Sequence, residues 1–143
     1  MLIQTYQPEH HVFRAVQAHD YEGFYERELE QRRQAGYPPF TRLALVRLTG
    51  VQEEAVGREA QNLAGALKKS LAKDAALAAH VRVLGPAPAG LARLKGRFRW
   101  QLLLKSYGRP ALEQTLAQVR NLWRPPNRDR LSLTLDVDPG HLF

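Results

Sequence analysis

The sequence predicts an α+β chain, and three observations carry that prediction. From about residue 42 the apolar residues alternate between a period of two and a period of three to four, in the order strand, helix, strand, strand, helix, strand. Gly and Pro gather at the joints between these stretches. Neither cysteines nor a long apolar run suggests any other class. Two βαβ halves with right-handed crossovers give a split-βαβ, ferredoxin-like layer: two helices on an antiparallel sheet. Such a fold hosts many functions and decides none.

Leu2–Thr5 is a short apolar segment with strand character, and it starts so close to the first residue that the chain is expected to be cut from something longer. Pro8 to Ala18 reads as a helix opened by proline, which tolerates the first turn because its missing N–H would be unpaired there. Val12, Ala15 and Val16 give it a narrow apolar face. His10 and His11 are adjacent, so they are expected to point apart and to be exposed; a helical metal pair would need a spacing of about three or four. Asp20 suits the N-cap of a second helix, Tyr21 to Ala35, with acids early and bases late, and Gly36 suits its left-handed end. Tyr37-Pro38-Pro39-Phe40 is an extended strap, its rings available to pin it down. It places a domain boundary between residues 1–40 and 41–143.

Arg42–Leu48 is a strand broken by Gly50, with Ala44, Val46 and Leu48 on one face and Leu43, Leu45 and Arg47 on the other. Val51 to about Ala72 is an amphipathic helix through Val56, Ala60, Leu63, Leu67 and Leu71. Val81–Leu84 is a strand, and Gly85, Pro86, Pro88 and Gly90 make the following stretch a loop that rises to a basic tip. Arg97–Lys105 alternates strictly: Phe98, Trp100, Leu102 and Leu104 form a dry face, and Arg97, Arg99, Gln101 and Lys105 the other. Pro110 opens a helix to about Trp123, with Leu112, Leu116 and Val119 inward and Pro125-Pro126 as its stop. Leu131–Val137 is the last strand. Asp136 and Asp138 are expected on one solvated face at its end.

The 143 residues carry a net charge of +7, unevenly distributed. Residues 1–80 balance ten Lys/Arg with ten Asp/Glu, whereas residues 81–130 carry eleven Lys/Arg against two Asp/Glu, a balance of +9. Clustering of that kind points to a polyanionic partner, nucleic acid or an acidic peptide. The absence of cysteine removes disulfides, thiolate zinc sites and thiol catalysis. No phosphate-binding glycine loop and no nucleophile elbow around Ser70, Ser106 or Ser132 is present. By elimination the chain is a binding module rather than an enzyme.

Several runs, in order, resemble the C-terminal end of the PriA family of bacterial replication-restart DNA helicases (primosomal protein N′). They are Gln4-Thr5-Tyr6-Gln7-Pro8-Glu9-His10, Asp20-Tyr21 to Phe24-Tyr25, Gly36-Tyr37-Pro38-Pro39-Phe40, Val83-Leu84-Gly85-Pro86-Ala87-Pro88, Arg97-Phe98-Arg99-Trp100-Gln101 and Asp136-Val137-Asp138-Pro139. The resemblance implies that residues 1–40 are the tail of the second helicase lobe and that 41–143 form a separate domain similar to a small ribosomal-subunit protein. It implies a bacterial, cytoplasmic, nucleoid-associated parent that is an ATP-dependent 3′–5′ DNA helicase using ATP, magnesium and zinc. The motifs for those cofactors lie upstream in the family, so none is expected here and this chain is not expected to be catalytic. The implied partners are DNA forks and single strands, the acidic tail of single-stranded-DNA-binding protein, and the helicase lobes; no membrane is implied.

On the residues, Arg93, Lys95, Arg97 and Arg99, with Lys105 further along, are the first candidates for phosphate contacts. Phe98 and Trp100 could stack bases, but their period places them in the core. Arg109, one turn before Glu113, falls where the resemblance places docking of the acidic tail; the Gln of some family members is here a Glu, which repels such a tail. Arg120, Arg124, Arg128 and Arg130 form a second basic cluster, equally a binding surface or a solvated rim. Two functions follow: a domain that binds DNA phosphates, or mainly a scaffold for protein contacts.

Overall fold

The computed structural model describes residues 4–124 and 130–140. It comprises two compact units, Met1–Tyr37 and Pro38–Phe143, divided inside the Tyr-Pro-Pro-Phe strap.

The first unit is a helical pair, α1 (His11–Ala18) and α2 (Tyr21–Ala35). The proline-opened helix starts later than expected. Pro8 and Glu9 form a turn, and His10 takes the N-cap position, its Nδ1 accepting from the Val12 N–H at 3.4 Å. The adjacent histidines do not point apart; their rings lie 4.4 Å apart, and His11 stacks on Phe24. Asp20 caps α2 through a 2.9 Å bond from the Gly23 N–H. Gly36 ends it at a φ of 61°, a conformation that glycine adopts without a Cβ penalty. Gln4 and Thr5 are not in a strand, and Leu2 and Ile3 lie outside the described residues.

The second unit has the expected order with one addition: β1 (Arg42–Gly50), α3 (Glu53–Leu71), a short α4 (Ala75–His80), β2 (Val81–Leu94), β3 (Arg97–Ser106), α5 (Arg109–Leu122) and β4 (Leu131–Val137). The four strands form one antiparallel sheet in the order β2-β3-β1-β4, as a split βαβ requires. α4 is capped by Asp74, whose carboxylate accepts from the Leu77 N–H at 3.0 Å.

One face of the sheet is dry. Ala44, Val46 and Leu48 of β1, Leu102 and Leu104 of β3, Val81 of β2 and Leu131 of β4 pack with Val56, Ala60, Leu63, Leu67 and Leu71 of α3 and Leu112, Leu116 and Val119 of α5. Gly50 does not break the strand; it closes it. A Cβ there would lie 2.6 Å from the Leu131 Cδ2 and 2.8 Å from the Val56 Cγ2, so the position is glycine for close packing.

The largest correction concerns residues 85–94. They are not a loop but the second half of β2, which runs on along β3 with register shifts between Leu84 and Ala87 and between Pro88 and Arg93. β2 is an edge strand, where a proline lacking an N–H leaves no inner ladder bond unmade. Gly85, at a φ of 91°, supplies the first irregularity.

Candidate nucleic-acid interface

The basic tip is a two-residue hairpin. Lys95 and Gly96 have φ values of 49° and 77°, both positive, as a tight turn between right-twisted strands demands. The turn delivers Lys95 at the apex and Arg97 at the start of β3, both exposed. Antiparallel pairing then sorts the cations by face, since residues paired across strands share one side of the sheet.

Arg97, Arg99 and Lys105 point away from the helices, as their alternation predicts. Arg93 does not join them. It pairs with Phe98, and its guanidinium carbon sits 5.1 Å from the centre of the Phe98 ring. A cation over an aromatic face is held by the ring quadrupole. Phe98 and Trp100 pack against the core, and the Trp100 ring faces Gly57 of α3, where a Cβ would lie 3.1 Å from Cζ2. The core placement of both aromatics holds.

The basic face is not a uniform strip. Arg99 and Lys105 are about 20 Å apart along β3, at about 3.3 Å per residue. Between them lie Gln101 and Leu103, and β1 contributes Leu43 and Leu45 there, both buried although they sit on the face away from the helices. Lys105 pairs with Arg82 at one end of the sheet, while Lys95, Arg97 and Arg99 gather at the other.

That second group has a member that the sequence did not single out. Arg47 of β1 pairs with Gln101 and with Thr134, one register step from Arg99, which pairs with Thr49. Burial, then the positive charge of Arg99, push the Arg47 guanidinium below its ordinary pKa; Asp136 acts in the opposite direction. The Arg47 Nε is buried without a hydrogen-bond partner among the described residues. Asp136 is the one carboxylate on the four strands. Asp138 has left the strand: at a φ of 49° it turns back, its Oδ2 accepting from the Arg42 Nη1 at 2.7 Å and its Oδ1 from the Leu43 N–H at 3.3 Å. The expected acidic pair on one face is therefore split. Among the described residues no three His, Asp or Glu side chains are grouped to hold a metal, and no helix is long and apolar enough to cross a membrane.

The remaining candidates sit elsewhere. Arg109 opens α5, and its Nε donates to the Glu113 Oε1 at 2.8 Å; this bond and the Glu113 charge raise the Arg109 pKa. Arg120 and Arg124 lie at the other end of α5, where Arg124 donates to the carbonyl of Trp123 at 3.0 Å. Arg130 is exposed just before β4, and Arg128 and the Pro125-Pro126 stop lie outside the described residues. The cations that cluster in sequence are thus divided in space, with part on the open face of the sheet and part on the helix layer.

Residues 33–140 match the family model described as the primosomal protein N C-terminal domain. The chain belongs to that family. Relatives agree: the replication restart protein PriA of Synechocystis is 37% identical over 97% of this chain and 16% of its own length. The Bacillus subtilis protein of the same name is 30% identical over 97% of this chain and 17% of its own. That of Treponema pallidum is 33% identical over 100% of this chain and 20% of its own. The chain therefore spans about a fifth or less of the length of these relatives, and it is the C-terminal domain of a PriA replication restart protein.

Proposed function

We propose that this domain binds the phosphate backbone of branched or single-stranded DNA during replication restart, with little sequence preference. The observation that carries the proposal is the gathering of Lys95, Arg97 and Arg99 on a tight hairpin and the open face of the sheet, away from the helix layer. Lys105 offers a second contact point on that face, and Arg93 supports the hairpin from the other side by covering Phe98. Extended basic faces track a backbone, and each neutralised phosphate releases counterions.

The whole protein is, in this proposal, a cytoplasmic ATP-dependent 3′–5′ helicase whose ATP, magnesium and zinc sites lie outside this chain. Residues 1–40 complete its second lobe, and 41–143 act as the DNA-contacting domain. The test is the salt dependence of binding to a labelled single strand. With about four cations engaged, log K should fall against log salt with a slope near −3. An affinity that stays flat from low to moderate salt would reject the proposal.

A second function, docking of the acidic tail of single-stranded-DNA-binding protein at Arg109, has a specific observation against it: the Glu113 carboxylate, 2.8 Å from the Arg109 Nε, places a negative charge beside the guanidinium. Calorimetry with a tail peptide would revive it if heat appears in the parent and is lost in Arg109→Ala.

A further inference from the structure

We infer that Arg47 and Arg99, with the hydroxyls of Thr49 and Thr134, form a seat for a single phosphate group on the open face of the sheet. The inference deepens the DNA-binding proposal and rests on it for the identity of the ligand.

The argument starts from an arrangement that is unfavourable while empty. Two guanidiniums occupy diagonal positions on adjacent strands, Arg47 one register step from Arg99, and neither has a carboxylate within ion-pair distance among the described residues. Arg47 keeps a buried Nε donor with no acceptor among the described residues. Like charges on neighbouring strands repel, and an unmet buried donor is costly. Arginine remains a cation throughout the physiological range, so the pair cannot relax by losing a proton.

An oxyanion between the two side chains would relieve both costs at once. The planar guanidinium fork fits a phosphate through paired N–H···O bonds. The surroundings suit phosphate: Thr49 lies opposite Arg99 and Thr134 opposite Arg47, placing two hydroxyl residues on the same face. Arg97 follows Arg99 on that face at about 7 Å, so a chain of phosphates can continue toward the hairpin tip. Asp136, diagonal to Arg47, bounds the seat on the β4 side and directs the ligand toward β3.

Three properties can be read in the intact 143-residue chain. Arg47→Gln should weaken binding to a labelled oligothymidylate about tenfold, equivalent to about 1.4 kcal/mol. It should also make the salt slope shallower by about 0.7. At the same time its thermal midpoint should stay level or rise, because an unmet buried N–H donor and a like-charge neighbour of Arg99 are removed; a merely structural arginine would lower it. Arg47→Lys, which keeps charge but loses the fork, should also bind several-fold more weakly, and it decides the matter if Arg47→Gln fails to fold. Finally, the Arg47 Nε–H resonance in nitrogen-resolved magnetic resonance should shift and saturate on addition of the oligonucleotide. Inorganic phosphate distinguishes the source: a shift with phosphate alone keeps the seat and rejects the nucleic-acid backbone as its ligand. If both Arg47 variants bind as the parent does while Arg97→Gln weakens binding, the seat is rejected and the DNA-binding proposal stands. If neither ligand moves the Arg47 resonance, the seat is overturned outright.

Discussion

β3 presents two faces that differ in every respect except their backbone. On the helix side, Leu102 and Leu104 are fully buried and Phe98 and Trp100 close the edge of the core. On the other side, Arg99 pairs with Thr49 of β1, Arg47 lies one register step away opposite Gln101, and Arg97 follows at the hairpin; among the described residues none of the three arginines has a carboxylate in an ion pair. The first face has what folding requires: apolar volume, filled. The second keeps charge that folding does not need. Stability should therefore follow the even-numbered residues of this strand, together with Leu103 beside buried Leu45, and polyanion binding should follow Arg97 and Arg99.

The sharpest way to break that comparison is in the core. Leu104→Ala removes a fully buried side chain beneath both helices and should cost about 2–5 kcal/mol, read by urea denaturation. If the same loss followed Arg97→Ala, the division between the faces would be wrong. Gly50→Ala should destabilise by about 1–3 kcal/mol, because its Cβ meets Leu131 and Val56 at less than contact distance; an unchanged denaturation midpoint would show that close packing does not require glycine there. Arg93→Ala should cost about 0.5–1 kcal/mol through its lost place over Phe98. Arg97→Ala, on the adjoining turn of the same hairpin, should leave the midpoint unchanged; equal losses would place the two arginines in one role. The smallest effect is expected for Glu113→Gln, which should leave the denaturation midpoint within error because the Arg109 pair is fully exposed.

Much of this was legible in the residues. The alternation of Arg97–Lys105, the three-four spacing of α3 and α5, the caps at Asp20 and Gly36 and the split-βαβ order all survive in the structure. What was not legible depends on neighbours distant in sequence. Gly85, Pro86, Pro88 and Gly90 read as a loop because nothing local says that their strand is at the edge of the sheet, where proline is tolerated. Arg93 looked like one of a row with Lys95 and Arg97 until the hairpin register turned it to the other face. Arg47, alone among apolar residues, carried no local signal; only the pairing of β1 with β3 brings it beside Arg99. α4 was signalled by Asp74 and the alanines after it, and was missed because the following strand drew the boundary.

The central claim is that the cations on the open face of the sheet, rather than those on the helix layer, meet the polyanion. It is tested most directly by comparing salt slopes for single-strand binding in two double variants, Arg97→Gln with Arg99→Gln and Arg120→Gln with Arg124→Gln. Losing two contacts from the sheet face should make the slope shallower by about 1.4, and losing two cations from α5 should leave it unchanged. A slope that flattens with the α5 pair and not with the β3 pair would contradict the claim.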